Sequence, residues 1–347
     1  MSQSDFGKPP LLVRLAILLL VLLLLVGLPL GSLLWMISVP GRSWTGPLPP
    51  LDRQETELAG RLETHVRTIA SEPHNVAHPE ALERAAAYLE RSLVGSGYRV
   101  RRQSFAAGGI SVRNLEVAIA AASPGRPALI VGAHYDSFGD APGANDNGSG
   151  AAALLELARS LRDLDGRSAI PIRLVLFVNE EPPFFQTAKM GSLVYARALA
   201  NSGVAVMGMI SLETLGFYSD REGSQHYPAP LGAFYPTRGD FAAFVGRVSS
   251  RDFVRRTTAS FRSVARFPSE GGTAPSFLAG IDWSDHWSFA EAGMPSLMVT
   301  DTAPFRYPYY HSPQDSPDKV DYRRLARVVS DLGTMIRTMA EPGAARR

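Results

Sequence analysis

The chain has 347 residues and a net charge of +2, from 35 Lys+Arg against 33 Asp+Glu, and 45% of its residues are hydrophobic. That length suits one large domain with an appendage, or two small ones, and the even charge balance gives no reason to expect nucleic acid as a partner. Cysteine is absent, which excludes a disulfide framework and thiolate metal ligands; any metal site must use His and carboxylate.

Residues 1–14 are polar to mixed and carry Lys8 and Arg14, whereas 15–39 contain no charge. About 20 apolar residues cross a bilayer, while a cleaved signal core is shorter and ends at a small-residue site. The stretch 15–39 therefore predicts a transmembrane signal anchor. By the positive-inside rule, 1–14 form a cytoplasmic tail and the rest of the chain lies outside the cytoplasmic membrane. Residues 40–54 are a Pro/Gly linker, 55–342 the folded domain and 343–347 a frayed tail.

Helical spacing marks helices over Glu55–Ile69 and Glu80–Val94. Two strands, Tyr98–Phe105 and Ile110–Ala121, flank a turn at Ala107-Gly108-Gly109. A strand at Ala128–Ala133 runs into a Gly/Pro/Asn/Asp loop and then a helix over 148–163. Next come a strand at 171–178, a loop at 182–189, a helix at Gly191–Asn201 and a strand at Val204–Leu212. A long loop at 216–236 follows. Helices are predicted at Gly239–Ser249 and Phe253–Arg266, a loop at 267–283 and a short helix at Trp287–Ala292. A strand at Pro295–Thr300, an irregular Tyr/Pro-rich segment at 302–320 and a helix at Asp321–Met339, capped by Asp321, complete the chain. Alternating strands and helices predict an α/β three-layer sandwich, with a mostly parallel mixed central sheet, helices on both faces and one N-terminal transmembrane helix.

Chemistry gathers at the strand ends, where open α/β sheets bind ligands. His134 and Asp146 sit in the loop after 128–133. Glu180 and Glu181 follow the next strand, Glu213 follows the one after, and His311 comes after 295–300. Imidazole and carboxylate together suit zinc or a similar divalent ion, and five such ligands fit two ions sharing one carboxylate. Neighbours on an extended chain point opposite ways, so one of Glu180 and Glu181 is free to hold a proton beside the metal. His65, His74, His78, His226 and His286 are read as structural or surface residues, His286 as a possible wall of the site. Phe184, Phe185 and Tyr309 are candidates for lining a substrate pocket.

The segments GAHYDS, GANDNGSG, VNEE and YYHS, over roughly 60–340, resemble the di-zinc aminopeptidase family, which includes secreted bacterial leucyl aminopeptidases and the inactive transferrin receptors. The resemblance implies two zinc ions per chain: His134 and Glu213 on one, Glu181 and His311 on the other, Asp146 bridging. It implies Glu180 as general base to a metal-bridging water, Asp136 orienting a ligand ring and Tyr310 stabilising the oxyanion. Asp285 matches a family position near the site. The family often has Asp where this chain has Glu213. The implied substrate is a peptide or small amide. Carboxypeptidase or deacylase chemistry, a one-zinc glutaminyl cyclase and a non-catalytic receptor or scaffold are the alternatives on this fold.

Overall fold

The computed structural model describes residues 10–341. Residues 1–9 of the expected cytoplasmic tail and the expected frayed tail at 343–347 lie outside the described residues. The chain divides into two units, Met1–Ser38 and Val39–Arg347. In the first, α1 (Leu11–Leu22) and α2 (Leu28–Ile37) are joined by a wider helical turn at Leu23–Gly27 into one apolar helix, Leu11–Ile37, of 27 residues. At 1.5 Å per residue this is about 40 Å long, enough to cross a hydrocarbon core of about 30 Å. The helix starts earlier than the predicted span, taking in Arg14, and gives way to extended backbone at Ser38. Pro40 disfavours helical geometry at Val39 and helps to set that end.

The second unit is built on an eight-stranded sheet in the order β1-β2-β4-β3-β5-β8-β6-β7. The strands are β1 (Arg101–Ala107), β2 (Ile110–Ile119), β3 (Ala128–His134), β4 (Ile172–Phe177), β5 (Val206–Glu213), β6 (Ala242–Arg247), β7 (Ser269–Ala274) and β8 (Ser296–Thr300). The central four, β4-β3-β5-β8, are parallel, so their carboxyl ends share one edge. β1 and β2 form the predicted hairpin, and β2 runs antiparallel to β4. Its turn uses Gly108 and Gly109, both at positive φ, the geometry a two-residue hairpin turn requires.

Period-two alternation in β3 serves both faces. Leu129, Val131 and Ala133 pack into the larger core with α3 (Arg53–Ile69), α4 (Pro79–Gly95), α5 (Gly150–Leu161), α7 (Arg251–Val264) and α9 (Tyr322–Ala340). Ala128 and Ile130 join a second core with Tyr195, Ala196 and Leu199 of α6 (Gly191–Asn201) and Phe289 of α8 (His286–Glu291). The three-layer arrangement follows. Gly132 is dictated by that second face: a Cβ there would lie 2.3 Å from the Phe177 ring.

Helix α3 begins at Arg53, inside the expected linker. Asp52 accepts the Glu55 amide at 2.8 Å, and Glu55 reaches back to the Asp52 amide at 3.0 Å, a reciprocal cap that satisfies two otherwise orphaned donors. Asp321 caps α9 through the Arg324 amide, as its sequence suggests.

Two elements depart from expectation. The predicted helix 239–249 is strand β6, and the predicted loop 267–283 contains strand β7. The run Phe241-Ala242-Ala243-Phe244-Val245 has no clear period, because β6 is a largely buried strand paired on both sides by β8 and β7; such short apolar runs do not distinguish strand from helix. In β7 the Gly271-Gly272 pair hides the strand signal. Gly271 is there for close approach, since a Cβ would come within 3.0 Å of Thr258 on α7.

Candidate metal centre

The expected ligands converge at the shared edge of the parallel strands. His134 ends β3, Glu180 and Glu181 follow β4, Glu213 ends β5, and His311 lies in the irregular segment after β8. Asp146 comes from the turn Ala144–Ser149 that leads into α5. Its Oδ1 lies 3.4 Å from His134 Nε2, and its Oδ2 lies 3.1 Å from His311 Nε2. His134 Nε2 is also 3.4 Å from Glu213 Oε2, and His311 Nε2 is 3.5 Å from Glu181 Oε2. The result is two triads, His134–Asp146–Glu213 and Asp146–Glu181–His311, that share Asp146, beside a third close group, His134–Glu180–Glu181. Glu180 Oε2 stands 3.9 Å from His134 Nε2.

These residues fit divalent cations. His134 Nε2, Asp146 Oδ2 and Glu181 Oε1 are buried without a hydrogen-bond partner. Buried polar atoms are almost always satisfied, and these orphans point to ions as the missing partners. Two nitrogens and three carboxylates match the donor preference of zinc-like ions.

Local backbone aims the ligands. Asn179, just before Glu180, and Thr214, just after Glu213, have φ of 62° and 44°, and His311 has φ of 54°. Left-handed geometry in such residues is costly and concentrates at functional sites. Here it turns each strand end or loop sharply enough to bring its ligand inward. The His311 ring is stacked on Phe138 at 3.9 Å and on Tyr310 at 3.8 Å between centroids. Two rings cannot share one face at those separations, so they sandwich the imidazole.

Asp136 meets the His134 ring, but through its main chain. The Nδ1 of His134 is 3.1 Å from the main-chain carbonyl of Asp136, with the carboxylate further off at 3.7 Å. That carboxylate instead accepts the amides of Glu180 at 3.1 Å and Glu181 at 3.2 Å. The carbonyl fixes the ring's tautomer, and the side chain fixes the loop that carries both glutamates.

The electrostatics are those of an anionic cluster. Burial opposes charging His134, yet Glu213, Glu180, Asp136 and Asp146 hold it well above the ordinary imidazole range. His311 behaves alike: burial lowers it, but Asp146 and Glu181 push it up to about 10. Burial raises Glu181 to about 8, with Asp146 adding to the effect, and raises Glu180 well above the usual carboxylate value. Burial works the same way on Asp146, but the two imidazoles override it and hold that carboxyl low. Glu213 is raised, chiefly by burial. Burial, then Asp146 and the three glutamates, raise the Tyr310 hydroxyl far beyond its usual range, so it keeps its proton and can donate.

Asp285 is fully buried, with neither oxygen hydrogen-bonded, and burial lifts it to about 7. Its neighbour Ser284 donates to Glu213 Oε2 at 2.8 Å. The other histidines stand outside the ligand set. His286 bonds the Ile281 carbonyl, His65 meets Tyr88 and Glu156, His78 faces Asp140, and His74 is buried against the Glu72 carbonyl; His226 is exposed. Phe184 packs on the larger core, and Tyr309 meets Tyr307 edge-on.

Sequence reasoning missed the residues that hold the Asp146 turn. Asn145 Nδ2 donates to Asp301 and its Oδ1 accepts the Gly216 amide. Asn147 Nδ2 donates to the Leu212 carbonyl, and its Oδ1 accepts the Thr214 and Gly150 amides. Asp315 accepts the Asn145 and Asp146 amides. The signal was the pair of amides flanking Asp146: Asn147 clamps the turn to the end of β5, and Asn145 to Gly216 and Asp301 just beyond β5 and β8.

The E. coli K12 protein YfbL, of uncharacterised function, is 37% identical over 304 residues, covering 84% of this chain and 91% of that one. Leucine aminopeptidase 1 of Trichophyton rubrum is 28% identical over 60% of this chain and 53% of its own length, so the chain spans about half of that relative. Among solved structures, an aminopeptidase from Aneurinibacillus sp. strain AM-1 superposes with a TM-score of 0.63 at 18% identity, over 84% of this chain and 97% of that one. Glutaminyl cyclase from Fimbriiglobus ruber gives 0.59 at 22% identity, over 86% and 99%; at these identities both likenesses speak for the fold. The model of peptidase family M28 matches residues 114–334, most of the folded unit and all of the converging ligands: the chain belongs to peptidase family M28.

Proposed function

We propose that the protein is a membrane-anchored, two-zinc aminopeptidase that removes N-terminal residues from peptides. One observation carries this reading: Asp146 turns one oxygen to each of two His–carboxylate pairs, at 3.4 Å and 3.1 Å from the two imidazoles. The sharing of one carboxylate between two triads supports it, and the named activity of the Trichophyton relative agrees. Zinc held there supplies Lewis acidity toward the scissile carbonyl and lowers the pKa of the attacking water.

The side chains do the rest. Glu180, outside the two triads and raised by burial, takes the proton of the attacking water and passes it to the leaving amine. Asp136 holds Glu180 and Glu181 by their amides, so base and ligand keep their spacing. Tyr310 keeps its proton and donates to the developing oxyanion. The helix Leu11–Ile37 anchors the enzyme, with the folded unit outside the cytoplasmic membrane.

The test is Glu180→Gln in the full-length protein. Turnover of aminoacyl amides and unblocked peptides should fall by at least about 100-fold, within the range general bases contribute, while two zincs per chain remain. Undiminished turnover removes Glu180 from the mechanism. One zinc per chain with pyroglutamate formation from N-terminal Gln would replace the aminopeptidase reading with a cyclase. Release of the full-length protein by alkaline carbonate washing of membranes would remove the anchor.

A further inference from the structure

The Asp146 turn is held by a residue distant in sequence, Asp315. Asp315 Oδ1 accepts the Asn145 amide at 2.8 Å, its Oδ2 accepts the Asp146 amide at 3.0 Å, and its main-chain carbonyl accepts the Ala144 amide at 3.2 Å. Tyr307 donates its hydroxyl to the same Oδ1 at 2.7 Å. The side chain is buried, at 1% exposure. Successive amides therefore converge on one carboxylate, and the second of them belongs to the residue that both triads share.

Asp315 lies four positions after His311 in the same irregular segment. That segment thus does two things at once: it delivers the imidazole of one triad and grips the backbone of the bridging carboxylate. We propose that Asp315 is a positioning residue that sets the bridging carboxylate of Asp146 for both ions. This rests on the two-ion reading of the site. The physics is that of outer hydrogen bonds at metal sites, which orient ligands and whose loss typically weakens metal binding about 10- to 100-fold. A carboxylate gives each of the two N–H donors its own oxygen; Asn in its place would turn an NH2 toward one of them.

The grip also predicts a pattern. A substitution in one triad, such as Glu213→Ala, weakens one ion. A displaced Asp146 weakens both. Asp315→Asn in the full-length protein should therefore lower the zinc affinity of both sites together, about 10- to 100-fold, measured against a competing chelator well below the unfolding midpoint. Tyr307→Phe, which removes one donor to Asp315 and leaves the amide bonds in place, should lower both by a smaller factor, and it stands in if the Asn variant does not fold.

A purely structural Asp315 would lower the melting midpoint but leave the zinc affinity of the folded protein at the parent value. Parent-like affinity at both sites in Asp315→Asn, or in Tyr307→Phe where that is the variant that folds, overturns the inference, as does a loss confined to one site. If the parent itself binds no zinc, it is the proposed function that fails; two zincs in the parent and unchanged affinity in the variant sink the positioning role alone.

Discussion

Raising the pH should tighten metal binding well beyond the range in which ordinary histidines titrate. In the metal-free protein His311 is pushed up to about 10 and His134 stands well above the usual 6.5. At pH 7 the His311 ring holds a proton that an incoming ion must displace, and His134 is shifted in the same direction. The His311 site should therefore tighten about tenfold per pH unit, equivalent to about 1.4 kcal/mol, and the His134 site should tighten in the same direction. A ring with an unperturbed value would level off above about pH 7, whereas binding at the His311 site continues to tighten to pH 8 and beyond. Glu181, raised to about 8, steepens the rise in the His311 triad.

The assay is zinc competition against a chelator at pH 6, 7 and 8, corrected for the chelator's own protonation. Equal affinities at pH 7 and pH 8 would refute the reasoning. The metal-free fold should respond in the opposite sense. His311 is raised from 6.5, so its contribution is fully present below that value and is lost as pH climbs through about 10. Glu181 is raised from 4.5, so it too favours the folded state less as pH rises through about 8. The metal-free melting midpoint should therefore fall between pH 6 and pH 9.

Two substitutions extend the same logic. Gly132→Ala places a Cβ 2.3 Å from the Phe177 ring, an overpacking that should cost about 1–3 kcal/mol and lower the midpoint of denaturant melts; an unchanged midpoint would mean that β3 and Phe177 yield freely. Phe138→Ala strips one face of the His311 sandwich. Losing a stacking contact of about 0.5–1.5 kcal/mol should weaken the Asp146–Glu181–His311 site roughly two- to tenfold and spare the His134 site, as zinc competition would show; equal loss at both sites would contradict it.

The ligands were legible in the sequence because each lies where a strongly apolar strand stops or in the loop beyond. Ile172–Phe177 runs into Asn179-Glu180-Glu181, and nothing else in that stretch competes for attention. The same rule failed for β6 and β7, where burial on both faces erased the period and paired glycines imitated a loop. The supporting residues were harder still. Asp136 is two positions from His134, a spacing that invites a side-chain contact, yet its carboxylate reaches β4's glutamates because β3 and β4 are adjacent and parallel. Asp315 is distant in sequence from Asp146, and only the closing of the irregular segment over the sheet edge brings them together. Hydrogen bonds to main-chain amides leave no residue pattern to read.

The order in which the ligands occur along the chain has a consequence for biosynthesis. Residues 134, 146, 180, 181 and 213 emerge from the ribosome well before His311 and Asp315. A nascent chain that has already formed β3, β4 and β5 still lacks one imidazole and the grip on Asp146. On the proposed reading, a chain truncated before residue 311 would lack both that imidazole and the Asp315 grip, and should not cleave peptides however well its earlier strands have folded.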